Sequence, residues 1–189
     1  MKEVDVYQFY NDKVKVLYSE IEARNNVLPV ELLFEINSAF DHLKRIHIDG
    51  ARENEEASKA FAHLKRGILD AFKLKLKYFN DDCKKLLGKK TDLRIIDNGT
   101  FLTGLFSARN QIVIKARNAR LHEGQKDVEA AISEWSEVSL LIDDVETKYF
   151  DSSKITWATK QSFLRFGISF FVGIITGIIS SVIVWFITK

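Results

Sequence analysis

The sequence predicts an all-α protein: an antiparallel helical bundle followed by one C-terminal transmembrane helix. Three observations carry that reading. Apolar residues recur at steps of three and four through most of residues 1–149; no period-two run is long enough for a strand; and residues 166–187 hold no charged side chain. Composition agrees. With 46% hydrophobic and 29% charged residues, one Pro and nine Gly in 189 residues, the chain is neither disordered nor of low complexity. Its single cysteine excludes an intramolecular disulfide framework and a Cys-rich zinc site, and fits a reducing compartment.

The first helix follows from Val6, Tyr10, Val14, Leu17 and Ile21 and ends near Asn25-Asn26. Pro29 suits the first turn of a second helix, whose buried face reads Leu33, Ile36, Phe40 and Leu43. Glu53, Glu55 and Glu56 favour the N-terminus of a third through the helix dipole. Its seam runs Phe61, Leu64, Ile68, Phe72, Leu76, Phe79, Cys83 and Leu86, a length that predicts a bend at Gly67. After Gly88 a polar stretch closes on the turn signal Asn98-Gly99. A fourth helix reaches about His122, with Gly124 past its end. The fifth runs from Asp127 to about Tyr149 and packs through Val128, Ile132, Trp135, Val138, Leu141 and Val145. Residues 150–165 read as a juxtamembrane extension. Two stretches, AFDHLKR at 39–45 and AFAHLKR at 60–66, lie 21 residues apart in helical phase; convergence of amphipathic sequence explains a likeness over seven positions, six of them identical, more simply than duplication.

The last segment is FGISFFVGIITGIISSVIVWFI, 166–187. As a helix it is about 33 Å long, enough for a hydrocarbon layer of about 30 Å. Phe163 and Phe166 flank one end, Trp185 and Phe186 the other, as interfacial aromatics do. The N-terminus has no apolar signal region. Lys154, Lys160 and Arg165 precede the span and only Lys189 follows it, which places the N-terminal domain in the cytoplasm and the chain, single-pass, in the inner (cytoplasmic) membrane. Within the span Ser169, Gly173, Gly177 and Ser181 recur at i+4, with Thr176 and Ser180 beside them. Such a small-residue seam lets helix backbones approach closely and points to a homo-oligomer in the lipid bilayer. A ring of more than two such helices would turn Ser and Thr hydroxyls inward as a pore.

Charge elsewhere is balanced. Taking the four basic groups after residue 150 and Asp151 from the totals of 28 and 26 leaves 24 basic and 25 acidic groups, so a globally basic nucleic-acid footprint is absent. Lys73, Lys75, Lys77, Lys84, Lys85, Lys89 and Lys90 surround only Asp81 and Asp82. A solvated helix face with snorkelling lysines is the favoured reading, an RNA-facing patch the alternative. Asp143, Asp144 and Glu146 read as solvated surface, and His47 and Cys83 as packed parts of their helical seams. His42, His47, His63 and His122 lack metal-ligand spacing, and there is no Gly-rich phosphate loop or nucleophile elbow; neither metal nor cofactor is expected.

One constellation carries chemistry: Arg117-Asn118-Ala119-Arg120-Leu121-His122, at the end of the fourth helix and followed by a turn and the amphipathic helix DVEAAI. The same basic residues also suit a helix C-terminus, where they meet free carbonyls and the dipole. Over roughly residues 30–149 the chain resembles the HEPN family, whose signature is Arg, a polar residue, a spacer and His. The resemblance implies a helical bundle that commonly dimerises and often acts as a metal-independent endoribonuclease. Arg117 would then stabilise charge on the scissile phosphate, His122 would act in proton transfer during attack by the 2′-hydroxyl, and Asn118 would help position them. Five residues of α-helix turn through about 500°, leaving Arg117 and His122 about 140° apart, so convergence needs an unwound helix end or a second protomer.

A HEPN-like domain joined to a membrane span is similar to small membrane accessories of prokaryotic antiviral systems, including those beside RNA-targeting CRISPR effectors. Two functions follow as expectations. One is a membrane effector that assembles through its last helix and perturbs or permeabilises the bilayer. The other is a tethered endoribonuclease with RNA, or a defence-system effector protein, as partner.

Overall fold

The computed structural model describes residues 1–89 and 91–188; Lys90 and Lys189, used above in the lysine cluster and in the charge bias of the span, lie outside them. Among the described residues there is no strand. The helices are α1 (Glu3–Phe9), continued by a π-helical turn (Tyr10–Val14) into α2 (Lys15–Asn25), then α3 (Val30–Ile48), α4 (Glu53–Leu87), α5 (Thr100–Gly124), α6 (Val128–Tyr149) and α7 (Ser152–Ile187). Two compact units result: Met1–Lys85 with Asn110–Asp144, and Leu86–Arg109 with Val145–Lys189.

In the first unit the π-turn has a visible cause. Val6 and Val14, both buried, are eight residues apart, which leaves them about 80° out of line on a regular α-helix. One extra residue absorbed by a π-turn makes the spacing equivalent to seven and cuts the error to about 20°. Leu17 and Ile21 continue the buried stripe, and Asn26 ends it in the left-handed conformation (φ 50°), as a helix C-cap requires. Pro29 stands one position outside α3, as its N-cap rather than in its first turn.

The buried face of α3 is Leu32, Ile36, Ala39 and Leu43. This corrects the expected face at two positions: Leu33 is half-buried and Phe40 is exposed, its ring meeting Tyr10 at 5.6 Å. The reason is size. Ala39 has no exposed area, so α3 presents its smallest residue to the neighbouring helix and turns the bulky ring out.

The seam of α4 holds for Leu64, Ile68, Phe72, Phe79, Cys83 and Leu86, with Phe61 and Leu76 half-buried. The helix is α-helical straight through Gly67, so the expected bend has no counterpart in its hydrogen bonding. What the glycine supplies is room: a Cβ there would lie 2.7 Å from Leu32 Cδ1 and 3.0 Å from Glu35 Cβ, so α3 packs against bare backbone. On the part of α6 in this unit the buried residues are Ala131, Trp135, Val138 and Ile142; Ile132 and Leu141, expected inside, are half-buried.

The helix α5 runs two residues beyond His122, so Gly124 is its last turn and not its terminator. Termination falls to Lys126, left-handed at φ 62°. Its N–H donates to Glu123 O and that of Asp127 donates to His122 O, both at 3.0 Å, which is a complete Schellman motif. Asp127 then caps α6 by accepting from Ala130 N at 3.1 Å.

The second unit gathers Leu86, Leu93, Ile96, Phe101, Leu105, Val145, Tyr149, Ile155 and Ala158. Phe101 and Tyr149 meet edge to face at 5.4 Å, and Gly104 leaves space for the Tyr149 hydroxyl, which a Cβ there would strike. A short 3-10 segment, Leu93–Gly99, is broken by left-handed backbone at Asp97 and Asn98. Asp151 caps α7 by accepting from Ser153 N and Oγ at 2.8 and 2.7 Å. Residues 152–165 of the expected extension are thus the first turns of the same 36-residue helix as the uncharged run 166–187.

Candidate functional site

At the end of α5, Ala119 is fully buried and sets the register of the motif. That register turns Arg117 and Arg120 to solvent and leaves Asn118 and His122 half-buried. Neither arginine has an acidic partner among the described residues, and Nδ1 of His122 is enclosed without a hydrogen bond. Because the helix stays α through Gly124, Arg117 and His122 remain about 140° apart on its surface. One chain does not bring them together.

The residues around the motif were not legible as a site. Glu123, next to His122, accepts from Trp135 Nε1 at 2.7 Å and pairs with Lys73 at 2.8 Å; Lys73 also reaches Asp70 at 3.0 Å. Burial works against the charge on Lys73, yet the bonds to Glu123 and Asp70 outweigh it and raise its pKa. Trp135 lies parallel to Phe72 at 6.4 Å, so the indole is fixed on both its face and its N–H.

Lys75 overturns the solvated-lysine reading at its own position. Its side chain is 2% exposed and its ammonium contacts Glu20, Asp143 (2.7 Å) and Ser139 Oγ (2.6 Å). It ties α2, α4 and α6 together. Asp143, read as plain surface, is half-buried and part of that network. Lys84 and Lys85 pair one turn back with Asp81 and Asp82. The lysine cluster is therefore not one surface.

His47 is corrected too: it is 62% exposed and its Nε2 lies 2.8 Å from Glu3, whose carboxyl is held below its usual range by that bond. The informative histidines are His42 and His63, whose rings stand 5.2 Å apart. His42 Nδ1 pairs with Glu56 and His63 Nδ1 with Glu35, both at 2.6 Å. Hydrogen bonds from Lys59 and then His42 outweigh the burial of Glu56 and hold its carboxyl down at about 2. Arg66 Nη2 lies 2.7 Å from the same His63 nitrogen and 3.4 Å from Glu35, so that nitrogen either donates to Glu35 or accepts from Arg66. Among the described residues no three His, Cys, Asp or Glu side chains gather to hold a metal ion.

In α7 the structure leaves the seam open. Ser169, Gly173, Thr176, Gly177, Ser180 and Ser181 are accessible, and a Cβ at Gly173 or Gly177 would meet nothing within 4 Å. The six positions span an arc of about 140°. Thr176 and Ser181 donate back to Val172 O and Gly177 O at 2.8 and 2.9 Å, which leaves the lone pairs of these two oxygens to offer a neighbour. The most apolar 18-residue window has a mean hydropathy of 2.4 and buries nothing within the chain; α7 is long and apolar enough to cross a membrane. Compared with known proteins, the chain matches no family model, no curated protein and no solved structure.

Proposed function

We propose that this protein is a membrane-anchored, HEPN-like effector of prokaryotic antiviral defence, which homo-oligomerises through α7 and perturbs or permeabilises the inner membrane. Its helical domain faces the cytoplasm and controls assembly. The observation that carries this is the open seam: an anchor needs only apolar residues, whereas α7 adds six small or hydroxylated residues on one arc, all of them exposed, and the bonds of Thr176 and Ser181 go to the helix's own backbone. The defence setting rests on the resemblance alone. Light scattering of the full chain in detergent should give a closed assembly of more than two copies, and Gly173→Ile with Gly177→Ile should shift it to smaller species that no longer release dye from vesicles. An unchanged mass distribution would sink this reading.

A membrane-tethered, metal-independent endoribonuclease is the second reading, favoured by the unpaired Arg117 and Arg120 and the unpartnered His122 Nδ1. Since Arg117 and His122 diverge on one helix, their site would be completed by a second copy. In this reading, His122→Ala abolishes cleavage of RNA in the absence of metal; equal cleavage by both proteins removes the role.

A further inference from the structure

We propose that Lys89, Arg94, Lys160 and Arg165 form a basic collar that binds anionic phospholipid headgroups. The inference rests on α7 being a membrane span and adds which lipid it recognises.

Two bonds set the height of the collar. Thr91 Oγ1 meets Thr159 Oγ1 at 2.9 Å, and Asp92 N donates to Ser162 Oγ at 2.8 Å. Leu93 is buried beside them. The loop after α4 is thereby pinned to α7 at Ser162, four residues before the uncharged run begins at Phe166. At 1.5 Å per residue that is about 6 Å, the depth of a headgroup layer. Trp157 and Phe163, 50% and 77% exposed, flank the same turns as interfacial aromatics would.

The charges at that height are unbalanced. Lys89, Lys160 and Arg165 are exposed and none has a carboxylate within 4.0 Å among the described residues, although Arg165 stands near enough to Asp92 for its charge to help lower that carboxyl's pKa. Arg94 is held by Asp92 at 2.8 Å, with its outer side in solvent. The nearby acids are already used: Asp92 by Arg94, Asp97 by Lys154 at 3.2 Å, and Asp151 as the cap of α7. What remains is a surplus of cations, fixed where lipid phosphates lie. A net-negative headgroup supplies the missing charge; phosphatidylcholine brings a cation of its own. Lysines and arginines near an anionic leaflet each favour binding by about fivefold.

The test uses the full chain in mixed micelles with equal phosphatidylglycerol and phosphatidylcholine, counting retained lipids by native mass spectrometry. The expected result is a preference for phosphatidylglycerol that weakens with salt and falls tenfold to a hundredfold in Lys89→Gln/Lys160→Gln/Arg165→Gln. All three residues are exposed, so the variant should keep the helical circular dichroism of the parent. Equal retention of the two lipids by the parent, or an undiminished preference in the variant, overturns the collar while α7 stays a span. Release of the parent from membranes by alkaline carbonate would instead refute the span, and the collar with it.

Discussion

Removing the buried Lys75 should cost less than removing the acids that surround it. Its side chain is 2% exposed, while those of Glu20 and Asp143 are 37% and 48% exposed. In Lys75→Met the apolar volume is kept and both carboxylates turn to water, so the loss should stay below about 2 kcal/mol. In Glu20→Gln/Asp143→Asn the ammonium stays inside with Ser139 Oγ and no charge to answer it. A stranded buried charge costs about 3–5 kcal/mol. The triple variant, with Lys75→Met added, should recover most of that loss. Urea titration of the full chain in detergent, followed by Trp135 fluorescence in a Trp157→Phe/Trp185→Phe background, resolves the order. For a slope of about 2 kcal/mol/M, the two variants differ by roughly 1 M in midpoint. If Lys75→Met proves as costly as the acid pair, the exposure argument is wrong.

Lys126→Gly should raise the melting temperature by about 2 °C: glycine relieves the left-handed strain at φ 62°, worth about 1 kcal/mol, and returns part of it as unfolded-chain entropy. A lower melting temperature would mean that the lysine side chain itself stabilises the turn. Gly67→Ala should destabilise by about 1–2 kcal/mol in thermal unfolding, against helix propensity, because the new methyl falls 2.7 Å from a Leu32 that is 1% exposed. A gain would show that α3 yields there. Glu56, with its carboxyl depressed from 4.5 to about 2, stabilises the fold above pH 4.5 and loses that contribution as pH falls toward 2. Acid titrations of Glu56→Gln should therefore be flatter than the parent's in that window; equal slopes would assign the loss to other carboxylates.

What the sequence made legible was periodicity, and what it hid was the third dimension of each helix. Val14, Leu17, Ile21, Leu64, Ile68, Phe79 and Trp135 are inside, as their spacing predicts, since a large apolar residue on the favoured arc has nowhere better to go. The misses share one cause. Ala39, Ala131 and Gly67 carry too little hydrophobicity to mark a buried face, yet they stand where helices approach most closely. Weighing size instead of proximity put Phe40, Ile132 and Leu141 inside in their place. Lys75 was hidden for the opposite reason: its charge outweighs its position in any hydropathy pattern, and only the partners on α2 and α6 reveal why burial is tolerated. The Arg117–His122 motif was read correctly as helical, and that same regularity keeps its two ends apart.

The 21-residue likeness is the place where sequence and structure say most together. It extends beyond the six matched positions, because Glu35 and Glu56 stand at the same offset, each seven residues before the histidine of its own copy. In space the pairs are exchanged: His42 takes Glu56 and His63 takes Glu35. Equivalent residues are buried alike, Ala39 with Ala60 and Leu43 with Leu64. Reciprocal pairing of this kind is what a local two-fold axis between antiparallel helices produces. Chance convergence of amphipathic sequence explains shared apolar spacing, but it gives no reason for two histidine–glutamate pairs to match across the axis. The structure therefore favours duplication of a helix over convergence, with the neighbouring rings of His42 and His63 marking the centre of the pair.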